Sequence, residues 1–112
     1  MYMMKLDASF FDKMKARQKV YEVRLYDEKR KSILVGDKII FKRRPELIDG
    51  IVVRVVEIRR FESFEQMAKT MSLASVGFDG KTADEAVSYY RTIYSVEDEQ
   101  KYGVVAFKVE LI

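Results

Sequence analysis

The stretch from Ile51 to Arg60, IVVRVVEIRR, constrains the fold of this chain more than any other. Its β-branched residues suit a pleated surface, so it reads as one long strand. The other strand-like runs are shorter: Val20 to Leu25, Lys38 to Phe41 and Gly103 to Leu111. One long strand among short ones points to an α+β fold built on a small curled sheet or barrel, of about five to six strands.

Helices frame that sheet. Asp7 is placed to cap an N-terminal helix reaching about Arg17, with Phe10, Phe11 and Met14 on its buried side. Ser63 with Gln66, and Thr82 with Glu85, both fit the capping box, in which side chains satisfy free amides at a helix start. The first of these helices would bury Phe64, Met67, Ala68 and Met71; the second would bury Ala83, Ala86, Val87 and Tyr90. The loop SLASVGFDGK separates them, so a helical insertion precedes the last strand. No linker or repeat divides the chain, and residues 1–112 read as one domain.

Two absences limit the chemistry. With no Cys and no His, the chain holds no disulfide, no Ser-His-Asp triad and no His- or Cys-based zinc site. Its carboxylates are not clustered at metal-ligand spacing, so neither a metal nor a cofactor is expected. The N-terminal MYMMKLDASFF lacks the apolar run of a signal peptide, and no stretch approaches the ~20 apolar residues of a membrane span. A soluble cytoplasmic protein without a membrane partner is the expectation.

Charge is unevenly spread. Of the 21 Lys and Arg and 18 Asp and Glu, the basic excess lies in residues 1–60 and the acidic excess in residues 61–112. The cations gather at Lys29-Arg30-Lys31, Lys42-Arg43-Arg44 and Arg59-Arg60. Such density suits phosphates, although solvated strand ends also collect Lys and Arg.

The segment KVYEVRL, residues 19–25, alternates as a strand does. Tyr21, Val23 and Leu25 share the face expected in the core, while Glu22 and Arg24 share the other. On a regular strand the Lys19 side chain points away from Glu22. It joins that pair only if the chain bends at residues 17–20.

Together with the following ILVGDKIIF and the closing YGVVAFKVEL, this segment resembles the ASCH (ASC-1 homology) domain family, whose fold is a PUA-like β-barrel. The family signature is approximately GxKxxExR. Lys19, Glu22 and Arg24 occupy its Lys, Glu and Arg positions, Arg17 replaces its Gly, and Gly36-Asp37 matches its turn before the next strand. The resemblance spans nearly the whole chain. It implies an RNA or modified-nucleotide ligand bound in a cleft.

Some relatives are hydrolases. One branch cleaves the acetyl amide of N4-acetylcytidine, and another member is a ribonuclease. The amidohydrolase branch uses a nucleophilic Thr where this chain has Glu22, so that reaction is not carried over. If the chain is an enzyme, Lys19 and Glu22 are its acid-base candidates, with Asp79 from the insertion loop. As a binder it would use Lys19, Glu22, Arg24, Lys42, Arg43, Arg44, Arg59 and Arg60. A module recognising a small metabolite or a protein is a third possibility. For Glu22 and Arg24 themselves two readings stand open: ligand contacts in a cleft, or an ion pair closing one end of the barrel.

Overall fold

The computed structural model describes residues 1–112. Five strands form one sheet in the spatial order β1-β3-β4-β5-β2: β1 Tyr2–Leu6, β2 Tyr21–Leu25, β3 Lys38–Arg43, β4 Gly50–Phe61 and β5 Val104–Leu111. All neighbours are antiparallel except β1 and β3, which run parallel. A register shift between Val55 and Glu57 places a bulge in the long strand β4, which bends the sheet. The sheet thereby becomes an open half-barrel whose edges are β1 and β2.

Alternation along the strands gives the sheet two apolar faces. One holds Met4, Ile39, Phe41, Val53, Val55, Val105 and Phe107 and is covered by Phe11 and Met14 of α1, Ala8–Lys15. On the other Val23, Leu25, Val104 and Ala106 pack against the insertion. That insertion carries α3 Phe64–Thr70, a 3₁₀ turn Ala74–Val76, α4 Ala83–Arg91 and α5 Val96–Tyr102. A short helix, α2 Glu28–Lys31, follows β2.

The α+β half-barrel agrees with the expectation from sequence, but two elements are additional. Tyr2–Leu6 is a strand because it pairs with Ile39–Arg43, a contact across more than thirty residues that local pattern does not encode. Val96–Tyr102 is a helix capped by Ser95, whose side chain accepts from the Asp98 amide, with three acidic residues in its first turn. The caps also differ in detail. Thr82 and Glu85 form the full reciprocal box, whereas the Gln66 side chain accepts from Glu62 rather than from the Ser63 amide. The Asp7 side chain makes no capping hydrogen bond. Its carboxylate accepts from the Tyr89 hydroxyl and lies 3.8 Å from Arg44.

Candidate functional site

The chain does bend before β2. Arg17 adopts φ 65°, in the left-handed region that favours glycine. The Gln18 and Lys19 amides then both turn back to the Lys13 carbonyl. This reversal swings the Lys19 side chain under the sheet edge toward Glu22. Gly77 makes room for it: at φ +98° it has the backbone that suits glycine, and a Cβ there would meet Phe10 at 2.8 Å and Lys19 at 3.0 Å.

Lys19 and Glu22 are almost fully buried, at 2% and 5% exposure, and they share one charge network with Arg24. Glu22 Oε1 lies 3.0 Å from Lys19 Nζ, and its Oε2 accepts from Arg24 Nε. Lys19 Nζ also donates to the carbonyls of Tyr21 and Val76. Two of its protons thus go to backbone carbonyls, and the charge itself faces the Glu22 carboxylate. Lys19 is therefore committed within the protein, where it neutralises and orients Glu22.

Arg24 is differently disposed. Its Nε is bound to Glu22, and its Nη2 crosses the gap between the sheet edges to donate to the Lys5 carbonyl, 2.8 Å away. The guanidinium thus bridges β2 to β1 and leaves Nη1 directed to no protein acceptor. Both sequence readings of the pair describe part of this geometry, because Arg24 ties the open barrel together and also lines a cleft.

Burial shifts these groups, and the neighbours decide the outcome. Desolvation pushes the Glu22 carboxyl up, but Arg24 and Lys19 outweigh it and hold the group below its ordinary value, so it is ionised. Desolvation pulls the Lys19 ammonium below the usual lysine value, with Glu22 working against that pull. Arg24 is held charged by Glu22 in spite of its burial.

The cleft above this network has a volume of about 360 Å³. Glu22, Arg24 and Lys19 lie at its floor, Lys5 and Arg44 at its β1 side, and Phe10, Tyr89, Tyr90 and Tyr94 line its wall. The rings form a connected array. Tyr89 stands edge-on to Phe10 at 5.2 Å between centroids, and Tyr90 stacks on Phe64 at 4.4 Å. Burial raises the hydroxyl pKa of both tyrosines, Asp7 adding to the effect at Tyr89, so they remain neutral donors.

Of the other residues singled out from sequence, only Arg44 joins the cleft. Arg43 is held by both oxygens of Asp12, at 3.0 and 3.2 Å. Lys42 lies along Gly50, Arg59 is over Phe61, and Arg60 stacks on Tyr26 at 3.9 Å. Asp79 is exposed and paired with Lys13 outside the cleft. The cleft residues that sequence did not assign to a site are Lys5, Asp7 and the aromatic wall. Tyr90 reads from sequence as helix packing, which its burial bears out, whereas its neighbour Tyr89 is half-buried at the cleft. No three carboxylates come together in a way that would hold a metal ion, and no helix is long and apolar enough to cross a membrane.

The family model for the ASCH domain matches residues 4–112, and the chain belongs to that family. Among solved structures, the hypothetical protein PH0355 is 39% identical, with a TM-score of 0.88 over 99% of this chain and 98% of its own. Protein PF0455 from Pyrococcus furiosus is 36% identical, with a TM-score of 0.77 over 99% of this chain and 96% of its own. An ASCH domain from Lactobacillus crispatus shares the fold at 14% identity, with a TM-score of 0.66 over 98% of this chain and 79% of its own. A search of curated proteins returned no match.

Proposed function

We propose that this chain binds RNA or a nucleotide by taking an amine-bearing base (cytosine, adenine or guanine) into the cleft floored by Glu22 and Arg24. The observation that carries the reading is the Glu22 carboxylate, held ionised beside an arginine with a free edge. A fixed acceptor next to a fixed donor complements a base edge with an exocyclic amine next to a ring nitrogen or carbonyl. Carboxylates recognise the cytosine amine in this way. Uracil would turn its O4 acceptor toward the Glu22 carboxylate and be disfavoured. The aromatic wall supplies stacking, worth about 1–3 kcal/mol per base, and the volume lies within the range of small-ligand pockets. Membership of the ASCH family, generally thought to bind RNA, supports the same reading.

Hydrolysis is the less supported alternative. It needs a group able to take a proton near neutral pH; burial draws the Lys19 ammonium in that direction, but its Nζ is turned into the protein, donating to the Tyr21 and Val76 carbonyls beside an ionised Glu22. The test is a titration of the protein with cytidine and uridine monophosphates and with C-rich and U-rich single-stranded RNA. Tighter binding of the amine-bearing base supports the proposal; equal affinity for uridine sinks it. Incubation with N4-acetylcytidine and RNA, with and without EDTA, would move the protein into the enzyme class if either is turned over.

A further inference from the structure

A second groove opens on the far side of Arg24, with a volume of about 370 Å³. Its lining contains five cations, Lys5, Arg24, Lys29, Arg30 and Arg44, and no carboxylate. Lys5 and Lys29 enter none of the nine ion pairs, and Arg44 reaches Asp7 only at 3.8 Å. Arg30 pairs with Asp27 at 2.7 Å and Arg24 with Glu22, and both carboxylates lie outside the lining of the groove. Lys5 and Lys29, unpaired beside the three arginines, leave the groove with an excess of positive charge that an anion would complete.

The groove is not isolated from the cleft. Lys5, Arg24 and Arg44 line both, so one row of cations runs along β1 from the aromatic cleft to helix α2. We infer that this groove is a phosphodiester site, and that the ligand is a single-stranded polynucleotide whose backbone leaves the cleft between β1 and α2, past Lys29. Arg24 would stand at the junction, its Nε and Nη2 held by Glu22 and the Lys5 carbonyl and its Nη1 left for the ligand. The inference rests on the base-binding reading of the cleft. It assigns a role to Lys29 and Arg30 and identifies the ligand class as a chain rather than a free nucleoside. The cleft argues for a nucleic acid over other polyanions, because only a nucleic acid presents a stackable base beside each phosphate.

Lys29→Glu tests it, since Lys29 is exposed, unpaired and outside the cleft. Binding of cytidine, cytidine monophosphates and a C-rich oligoribonucleotide is measured for both proteins by calorimetry or fluorescence as salt is varied. The oligonucleotide should bind the native protein at least tenfold tighter than cytidine at low salt. Lys29→Glu should remove most of that gain and reduce the slope of log affinity against log salt by about 0.7–1, with cytidine affinity unchanged. An oligonucleotide that binds no tighter than cytidine overturns the groove while leaving the base reading intact. An oligonucleotide that binds in a Lys29-dependent manner without any cytidine binding supports the groove and removes the base reading. Lys29-dependent binding to vesicles of phosphatidylcholine with phosphatidylserine, without oligonucleotide binding, would reassign the groove to lipid headgroups and overturn the proposal.

Discussion

The molecule buries two carboxylates, Glu22 and Glu99, each paired with an arginine, and they do different things. Glu99, on α5, accepts from the Phe64 amide at the start of α3 and lies 2.7 Å from Arg91 of α4. It fastens three helices of the insertion together and caps one of them. Glu22 also has both oxygens engaged, but by two cations, and its network floors an open cleft. A buried ion pair is therefore no marker of a site by itself. What separates the two is where the remaining donors go: in one case into packing, in the other toward a cavity walled by aromatic rings.

The sharpest way to break this contrast is Lys19→Met. It removes one counter-charge of Glu22 and strips a donor from the Tyr21 and Val76 carbonyls, so unfolding free energy should fall by about 3–5 kcal/mol. A loss within about 1 kcal/mol by urea titration would mean that the network carries little of the fold's stability. Glu99→Ala comes next. It leaves the Phe64 amide without its acceptor, so about 1–3 kcal/mol of stability should go while affinity for cytidine or RNA is unchanged. Weakened binding in this variant would erase the distinction between the two carboxylates.

Glu22→Gln should cut affinity for amine-bearing nucleotides tenfold or more, about 1.4 kcal/mol, and it should also lower stability because Lys19 and Arg24 lose their shared counter-charge. Binding is therefore compared at a temperature where both proteins are folded. The same residue predicts a pH dependence. Its carboxyl is depressed in the fold below the ordinary 4.5, so its contribution to stability is present above that value and is lost as pH falls through the folded one. Urea midpoints should lose this contribution as the solution is acidified, and Glu22→Gln should show a smaller decline. An acid limb identical in the two proteins would exclude Glu22 as its source.

The smallest effect is expected from Tyr89→Phe. It deletes the hydrogen bond to Asp7 but keeps the ring against Phe10, so stacking survives. Affinity should change by about threefold or less and stability by about 1 kcal/mol, measured on the same titrations. A loss as large as that of Glu22→Gln would make the hydroxyl a direct ligand contact.

The sequence by itself determined the elements whose signals are local: the β-branched strand β4, the alternation of β2, and the capped starts of α3 and α4. It also set Glu22 and Arg24 on one face of β2, because strand periodicity requires it. Only the tertiary structure decided what those side chains meet. β1 exists through pairing with a strand far along the chain, and it supplies the Lys5 carbonyl that Arg24 reaches. The left-handed turn at Arg17 brings Lys19 to Glu22, against the side that regular strand geometry assigns to it. Lys29 and Arg30 come to line a groove only because β1 lies beside their helix. The consecutive tyrosines Tyr89 and Tyr90 follow a helical pattern, and that pattern alone does not say which ring is core and which is wall. The physical reason is the same in each case: hydrophobic and hydrogen-bonding periodicity act within one element, whereas a cleft is made where elements distant in sequence converge.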